Sequence, residues 1–275
     1  MGSRAFPSRS CATLSITAAA ALAGCASGPE PLPDLQHSKI AVSGESRNIY
    51  GASYFVPGNQ VFVGGSTIGI QVGSSAGVLG LSAGALVDFR RNRAQVESRE
   101  DTIALRFDAD VAASLRAAGV PASTGDERTA DVVVLPSATL SPLPRGVVLG
   151  CSLDVEFGER GRHNTLVRKR RYAYAAPVLR PFTGTGEGWT DAGGAVLRDA
   201  TTTCFGLLAR ALAADWQGRF DASGRRVRWV RPDMEAARDA VELYATGEFV
   251  ALDAAPANAS RRALTIVVEP AVVLP

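Results

Sequence analysis

The sequence predicts an α+β fold: a mostly antiparallel sheet with two or three helices packed on one face, preceded by a Gly-rich apolar segment. Three observations lead to this expectation. Apolar and polar residues alternate in the middle of the chain, an amphipathic pattern follows residue 190, and residues 48–87 contain no charged side chain. Alternation at every second residue indicates a half-buried strand, and apolar residues three or four positions apart indicate a helix.

The amino terminus has the three zones of an export signal. Residues 1–10 hold two arginines and no acid, residues 11–22 hold no charge, and two small residues precede Cys25. A positive start, a short apolar stretch and small residues at a cleavage point are typical of such signals. The apolar stretch is shorter than the about 20 residues that a membrane-spanning helix needs.

The four residues Leu22-Ala23-Gly24-Cys25 resemble the lipobox of bacterial lipoproteins. The resemblance implies that residues 1–24 are removed as a signal peptide and that Cys25 carries acyl chains such as palmitate. Two or three such chains anchor a protein durably to a membrane. Ala26, rather than Asp, follows the cysteine, which by the sorting rule of enteric bacteria implies the outer membrane, facing the periplasm. The alternatives are an ordinary secretory signal with a chance cysteine and a short buried helix.

Residues 25–47 are predicted to form the lipidated cysteine and a tether. Three prolines and a glycine between residues 26 and 34 favour a stiff, partly extended chain. Removal of residues 1–24 leaves 27 basic and 27 acidic residues, so the mature chain has no net charge. Nucleic-acid binding is not expected, because it requires a clustered basic surface.

Residues 48–93 form the Gly-rich apolar segment, which we expect to be extended at first and then helical. Four glycines at positions 73, 77, 80 and 84 would leave one helical face without side chains. The segment then packs against the protein's own sheet or a second copy, inserts in or lies on the membrane, or serves as a flexible linker. Packing is the preferred interpretation, because a lipid-anchored protein needs no second anchor.

The globular domain is predicted over residues 94–275, where the first elements are short. Asp108 is expected to cap a helix that ends before Gly119, and prolines 142 and 144 are expected to break the chain. A charged Gly turn at 158–161 predicts a hairpin. The expected elements here are a strand at 102–107, a helix at 109–118, and strands at 130–135, around Cys151 and at 165–179.

The longest predicted helix covers residues 192–216. Phe205, Leu208, Leu212 and Trp216 lie on one of its faces, as expected for a helix packed on a sheet. A further helix is predicted near 232–244, because Pro232 suits a first turn and Gly247 follows. Two short strands, at 248–252 and 263–268, complete the domain.

Two cysteines remain in the mature chain besides Cys25, and an even number permits one disulfide in an oxidising compartment. Cys151 lies on the inward side of a predicted strand, and Cys204 lies in the predicted long helix. Either they are bridged, closing a loop of about 50 residues and stabilising the fold by about 4 kcal/mol, or they are two separate buried thiols.

Residues that could support catalysis are sparse. His37 lies in the tether and His163 in a polar turn, where surface histidines are common. Ser75 in Gly-Ser-Ser-Ala-Gly lacks the strand–turn–helix setting of a nucleophile elbow, and residues 184–188 lack the lysine of a phosphate loop. We expect no catalytic residues, no metal site and no cofactor other than the covalent lipid.

The run Arg168, Lys169, Arg170 and Arg171 is the most concentrated charge in the sequence. One interpretation is a solvated edge strand whose charges discourage pairing with other sheets. The other is contact with an acidic partner surface or with lipid headgroups.

The sequence therefore predicts a non-enzymatic lipoprotein of the bacterial cell envelope, an accessory or assembly component that binds other envelope proteins. The alternative is an oligomerising lipoprotein that inserts residues 61–87 in the bilayer. An envelope hydrolase is a third class, for which the sequence offers no site.

Overall fold

The computed structural model describes residues 32–35, 37–45, 47–48, 55–56, 61–63, 105–143, 145–161, 166–181, 186–221, 224–230, 236–253 and 264–274. The leader, Cys25, the glycine positions 73–84, Ser75 and His163 lie outside these ranges, and so do the predictions made for them.

Strands dominate the described part of the chain. In chain order they are β1 Ile40–Val42, β2 Arg47–Asn48, β3 Phe55–Val56, β4 Val61–Val63, β5 Ala122–Thr124, β6 Val132–Leu143, β7 Gly146–Arg160, β8 Leu166–Arg180, β9 Arg226–Trp229, β10 Arg238–Ala245, β11 Val250–Asp253, β12 Leu264–Val268 and β13 Val273–Leu274. Two α-helices accompany them, α1 Phe107–Ala117 and α2 Asp191–Trp216, with short 3-10 helices at Glu127–Thr129 and Pro270–Val272.

One mixed sheet holds eleven of these strands, in the order β13-β9-β10-β11-β12-β8-β7-β6-β1-β5, with β4 also paired to β6. The long strands β6, β7 and β8 are antiparallel neighbours. β1 pairs parallel with both β5 and β6, β4 pairs parallel with β6, and β12 pairs parallel with β8. β2 and β3 form a separate antiparallel pair.

The predicted α+β class with a mostly antiparallel sheet is therefore wrong. The described protein is mostly sheet, the sheet is mixed, and it carries only two α-helices within the described residues. The parallel pairs join segments that are far apart in sequence. Alternation shows that a segment is a strand but not which strand it pairs with, so local patterns could not reveal those pairs.

Both helices pack on the same face of the sheet. The main core joins α1 and α2 to the central strands, and its largest fully buried side chains include Trp189, Tyr172, Phe107 and Phe205. The indole Nε1 of Trp189 donates to the Val147 carbonyl at 2.8 Å, which fixes the start of α2 to β7. The apolar stripe predicted for the long helix is confirmed: Phe205, Leu208 and Leu212 are buried and Trp216 is half-buried.

Three predicted local elements are wrong. Residues 238–245 form the strand β10 rather than the end of a helix, because β9 and β11 pair with it on both sides and their ladders outweigh the helix-forming alanines and glutamates nearby. Asp108 lies inside the first turn of α1 rather than at its cap, since the helix begins at Phe107. Pro142 lies within β6 rather than breaking the chain.

β6 also contains Pro136, and the sheet explains how this is tolerated. β1 pairs with residues 132–134 of β6 and β4 pairs with residues 138–140, so Pro136 lies between the two outer partners. A proline has no backbone N–H to donate to a neighbouring strand. Because neither β1 nor β4 pairs with residue 136, no hydrogen bond to them is lost there.

The hairpin predicted around the Gly turn is confirmed, as are the two tail strands within one or two residues. Residues Ile40–Val42, which the sequence assigned to the tether, form a buried strand inside the sheet. Neither described helix is long and apolar enough to cross a membrane.

Candidate functional site

Cys151 and Cys204 form a disulfide between β7 and α2, with their Cα atoms 6.4 Å apart. Both residues are buried in the main core, where Cys151 faces the helix. The bridge joins the central sheet to the longest helix, and it closes a loop of 53 residues. Of the two alternatives that the sequence left open, the structure has the bridged one. Cys25, the predicted lipidation site, lies outside the described residues.

The basic run 168–171 lies near the start of β8, where β7 pairs with all four residues. Within the described residues β12 pairs with β8 only from Arg171 onward, so Arg168 to Arg170 have a partner strand on one side. The solvated edge strand expected from the sequence fits the exposed Arg168 and Lys169 but not Arg170, which is buried. Alternate residues of a strand point to opposite faces. Arg170 accordingly faces α2 with Tyr172, while Lys169 and Arg171 face the other side of the sheet.

On the face opposite the helices, Arg171 pairs with Asp154 of β7. The guanidinium Nε lies 2.6 Å from Oδ1 and Nη2 lies 2.8 Å from Oδ2, the two-point geometry of a strong ion pair. Two residues further along the same strand pair, Lys169 lies opposite Glu156, and its Nζ is 2.8 Å from Glu156 Oε1. The two carboxylates are 5% exposed, so this is a buried charge cluster.

Burial sets the ionisation of this cluster. It raises the pKa of Asp154 to about 7, against an opposing effect of Lys169 and with a smaller contribution from the like charge of Glu156. Burial also lowers the pKa of Arg171 to about 10. Burial thus disfavours the charged form of both side chains, and their two-point contact opposes that effect.

On the helix face, Asp215 in the last turn of α2 accepts hydrogen bonds from the Arg170 guanidinium and the Tyr172 hydroxyl. Burial raises the pKa of Tyr172 well above its usual value, which keeps the phenol protonated as a donor. The three side chains tie the end of α2 to the start of β8.

The predicted contact residues 168–171 therefore do not form one exposed basic surface. Arg170 and Arg171 face internal carboxylates, with 9% and 21% of their side chains exposed. Lys169 is 45% exposed beside Glu156, and Arg168 is exposed. Sequence reasoning missed the partners Asp154, Glu156 and Asp215. Asp154 and Glu156 are two residues apart on β7, as Lys169 and Arg171 are on β8. Aligning the two strands of the predicted hairpin would have placed each acid opposite a basic residue.

One end of the domain gathers the remaining features, and we call it the tether end. Ile40, Val132, Phe157 and Arg168 lie in one row across β1, β6, β7 and β8 at this end. The C-terminal end of α2 lies here too, because Asp215 contacts Arg170.

The chain enters the domain at the tether end. The indole Nε1 of Trp216 donates to the Pro33 carbonyl at 2.5 Å, and Leu32 and Leu35 pack against the main core. His37 is exposed, and its Nδ1 lies 2.7 Å from Asp34 Oδ2. The part of the predicted tether from Leu32 onward is therefore attached to the domain.

A groove of about 330 Å³ runs along the last turns of α2. Tyr244 and Phe249 form its aromatic wall, with ring centroids 6.0 Å apart, and the rim carries Arg210, Gln217 and Arg219. Arg210 Nε lies 3.1 Å from Glu248 Oε2. An apolar wall with a polar rim is the arrangement of many binding surfaces.

Comparison of the chain with models of protein families, with curated proteins and with solved structures gave no match.

Two further candidates from the sequence remain, the glycine-rich loop 184–188 and a possible metal site. Of the loop 184–188, the described part forms a turn in which the Gly188 N–H donates to Asp191 Oδ2 at 2.8 Å, at the start of α2. No group of three or more His, Cys, Asp or Glu residues within the described ranges could hold a metal ion.

Proposed function

We propose that this chain is an exported, lipid-anchored accessory protein of the bacterial cell envelope, and that its domain binds another envelope protein. Acyl chains on Cys25 hold it to the membrane, which by the identity of Ala26 is the outer membrane, with the domain in the periplasm. The domain acts by binding rather than by catalysis.

The Cys151–Cys204 disulfide is the observation that carries the proposal. Structural disulfides form in oxidising compartments such as the periplasm and are rare in the cytosol. A bridge inside the main core supports the export signal that the amino terminus predicts.

The groove along α2 supports binding of a protein partner. Its aromatic wall of Tyr244 and Phe249 is of the residue type that dominates binding energy at interfaces. The groove lies at the end of the domain that receives the tether, so a partner held in the same membrane can reach it.

Two experiments test the proposal. Replacement Cys25→Ser should leave the precursor uncleaved by the lipoprotein signal peptidase and without acyl chains in its intact mass. Normal acylation of that variant would remove the basis for the anchor.

Photo-crosslinking tests the partner. A benzoylphenylalanine at Glu248, on the groove rim, should give a discrete crosslinked species in detergent-solubilised envelopes. The same group at Arg228, exposed on β9, is the control. Identical products at both positions, or none at Glu248, would count against the groove.

The alternative, insertion of residues 61–87 in the bilayer, has less support. Val61–Val63 form β4, paired with β6 inside the sheet, so the segment begins within the domain. A Cys25→Ala variant distinguishes the two proposals: release from membranes by carbonate supports the lipid anchor, and retention supports insertion.

A further inference from the structure

We propose that thiol–disulfide exchange at Cys151 and Cys204 takes place only while α2 is separate from the sheet. The chain is then the substrate of a disulfide-donating oxidant before the domain folds, and the folded domain exchanges with neither oxidants nor reductants. Oxidation by such an oxidant is thus the reaction that must precede the last folding step. Neither the lipid anchor nor the groove enters this proposal.

The bridge forms by two successive exchanges. The thiolate of one cysteine attacks a sulfur of the oxidant's disulfide and forms a mixed disulfide with it. The thiolate of the other cysteine then attacks the sulfur of the first, and the oxidant leaves as a dithiol. Two thiols of this chain lose two electrons and two protons, which the oxidant takes up. Both steps need space for the oxidant's sulfur beside a cysteine of this chain.

In the folded domain both cysteines are enclosed. Cys151 is 3% exposed and Cys204 is 0% exposed. Cys151 lies within β7, between Ala138 of β6 and Tyr174 of β8. Phe205, next to Cys204, contacts α1 through a pair of aromatic rings whose centroids are 5.1 Å apart. Strands on both sides and helices on one face therefore surround the two sulfurs.

α2 must leave the sheet before a reagent can reach either sulfur, because the helix is held on both sides of Cys204. Trp189, just before α2, donates to the Val147 carbonyl of β7. Asp215, in the last turn, accepts from Arg170 of β8. Since α2 also supplies a large part of the main core, its release is close to unfolding of the whole domain.

The order of the chain provides a period in which both thiols are accessible. The main core includes Ala251 of β11 and Val267 of β12, both 0% exposed. These two residues follow Cys204 by 47 and 63 positions. A chain that emerges from its amino terminus, during synthesis or export, therefore presents Cys204 to an oxidant before the core can be completed.

Reduction of the folded protein tests the proposal, because it passes through the same mixed disulfide in reverse. The mature, bridged protein is incubated with a low concentration of dithiothreitol, and maleimide labelling measures the free thiols. The same protein in urea above its unfolding midpoint gives the rate for accessible sulfurs. We expect reduction in native buffer to be at least about 1000-fold slower, because the folded state outnumbers the unfolded state by about that factor or more. A native rate within about tenfold of the unfolded one would overturn the proposal.

The dependence on urea identifies the opening that exposes the bridge. Below the midpoint, the logarithm of the rate of reduction should rise with urea as steeply as that of the equilibrium constant for unfolding, because the opening exposes most of the core. A slope below about half of that value would show that a local fluctuation exposes the sulfurs while α2 stays in place, which would refute the proposal.

Two aspartates of α2 provide a matched pair of variants. Asp215→Leu removes the acceptor that holds the helix end on Arg170, and Asp199→Leu changes an exposed side chain. In each variant the rate of reduction in native buffer should rise by the same factor as the equilibrium constant for unfolding. We expect about 100-fold or more for Asp215→Leu and less than about threefold for Asp199→Leu. A variant that unfolds more readily but is reduced no faster would contradict the proposal.

Discussion

The Tyr172 hydroxyl on β8 donates to the Asp215 carboxylate in the last turn of α2, within the interface between helix and sheet. The same oxygen of Asp215 accepts from Arg170. One carboxylate thus receives a neutral and a charged donor from two residues on the same face of one strand, which fixes the helix end in register with the sheet.

Removal of this acceptor should be among the most damaging single changes in the domain. Asp215→Leu leaves the Arg170 guanidinium buried without this partner, and we expect the free energy of unfolding to fall by about 3–5 kcal/mol. Tyr172→Phe removes one donor only and should cost about 1 kcal/mol. Urea unfolding of the mature protein measures both.

The exposed Asp199 on the same helix is the control. Asp199→Leu should change stability by less than about 0.5 kcal/mol. If Asp215→Leu lowered the free energy of unfolding no more than Asp199→Leu, the contact of Arg170 and Tyr172 with Asp215 would not stabilise the domain.

Asp154 should make the stability of the domain depend on pH. Its folded-state pKa is about 7 and its ordinary value is 3.8, so between these values the folded state holds a proton that the unfolded state has released. The contribution of Asp154 to stability is therefore fully present below its unfolded pKa and is lost as pH rises toward 7, by up to about 1.4 kcal/mol per pH unit.

Asp154→Asn cannot ionise and should remove this contribution. The stability of the unsubstituted protein minus that of Asp154→Asn should decrease from about pH 4 to about pH 7 and then level off. Asp199→Asn should keep the original pH profile. If the difference in stability between the unsubstituted protein and Asp154→Asn did not change with pH, the pKa of Asp154 would be the same in the folded and unfolded states.

The disulfide should protect both thiols from labelling. Under denaturing, non-reducing conditions we expect no reaction of Cys151 or Cys204 with a maleimide, and reaction of both after reduction. The double variant Cys151→Ala with Cys204→Ala should lose about 4 kcal/mol of stability, because the unfolded chain regains the freedom of a loop of 53 residues. Labelling of both cysteines before reduction would contradict the bridge.

The contact between Trp216 and Pro33 should hold the incoming chain on the domain. Trp216→Phe keeps an aromatic ring but removes the indole donor. We expect the backbone amides of Asp34 and Leu35 to exchange hydrogen faster in this variant, with little change in global stability, because one hydrogen bond contributes about 1 kcal/mol. Unchanged exchange there would show that the packing of Leu32 and Leu35 is sufficient to hold the segment.

Sequence patterns correctly predicted those elements that are determined by residues close together in the chain. The stripe from Phe205 to Trp216 identified α2, and the Gly turn between two alternating runs identified the β7–β8 hairpin. These features depend on residues close in sequence, where periodicity is informative.

The remaining parts depend on distant segments. Residues 238–245 have helix-forming composition, yet β9 and β11 hold them in the sheet. Ile40–Val42 could not be recognised as a central strand, since three apolar residues carry no period and both partners lie far along the chain. The partners of the basic run were missed because they require the register of the hairpin.

The position of β1 has a consequence for how this protein is made. Ile40 is among the first residues of the domain to be synthesised, but it pairs with Ala122 and Val132, which follow 82 and 92 residues later. The ribosome therefore releases the first strand long before either neighbour exists. Non-local pairing of this kind slows folding and meanwhile leaves the apolar side chains of β1 without the neighbours that bury them. A chain that ends before Val132 should therefore remain sensitive to protease, and resistance should appear only when β6 is present.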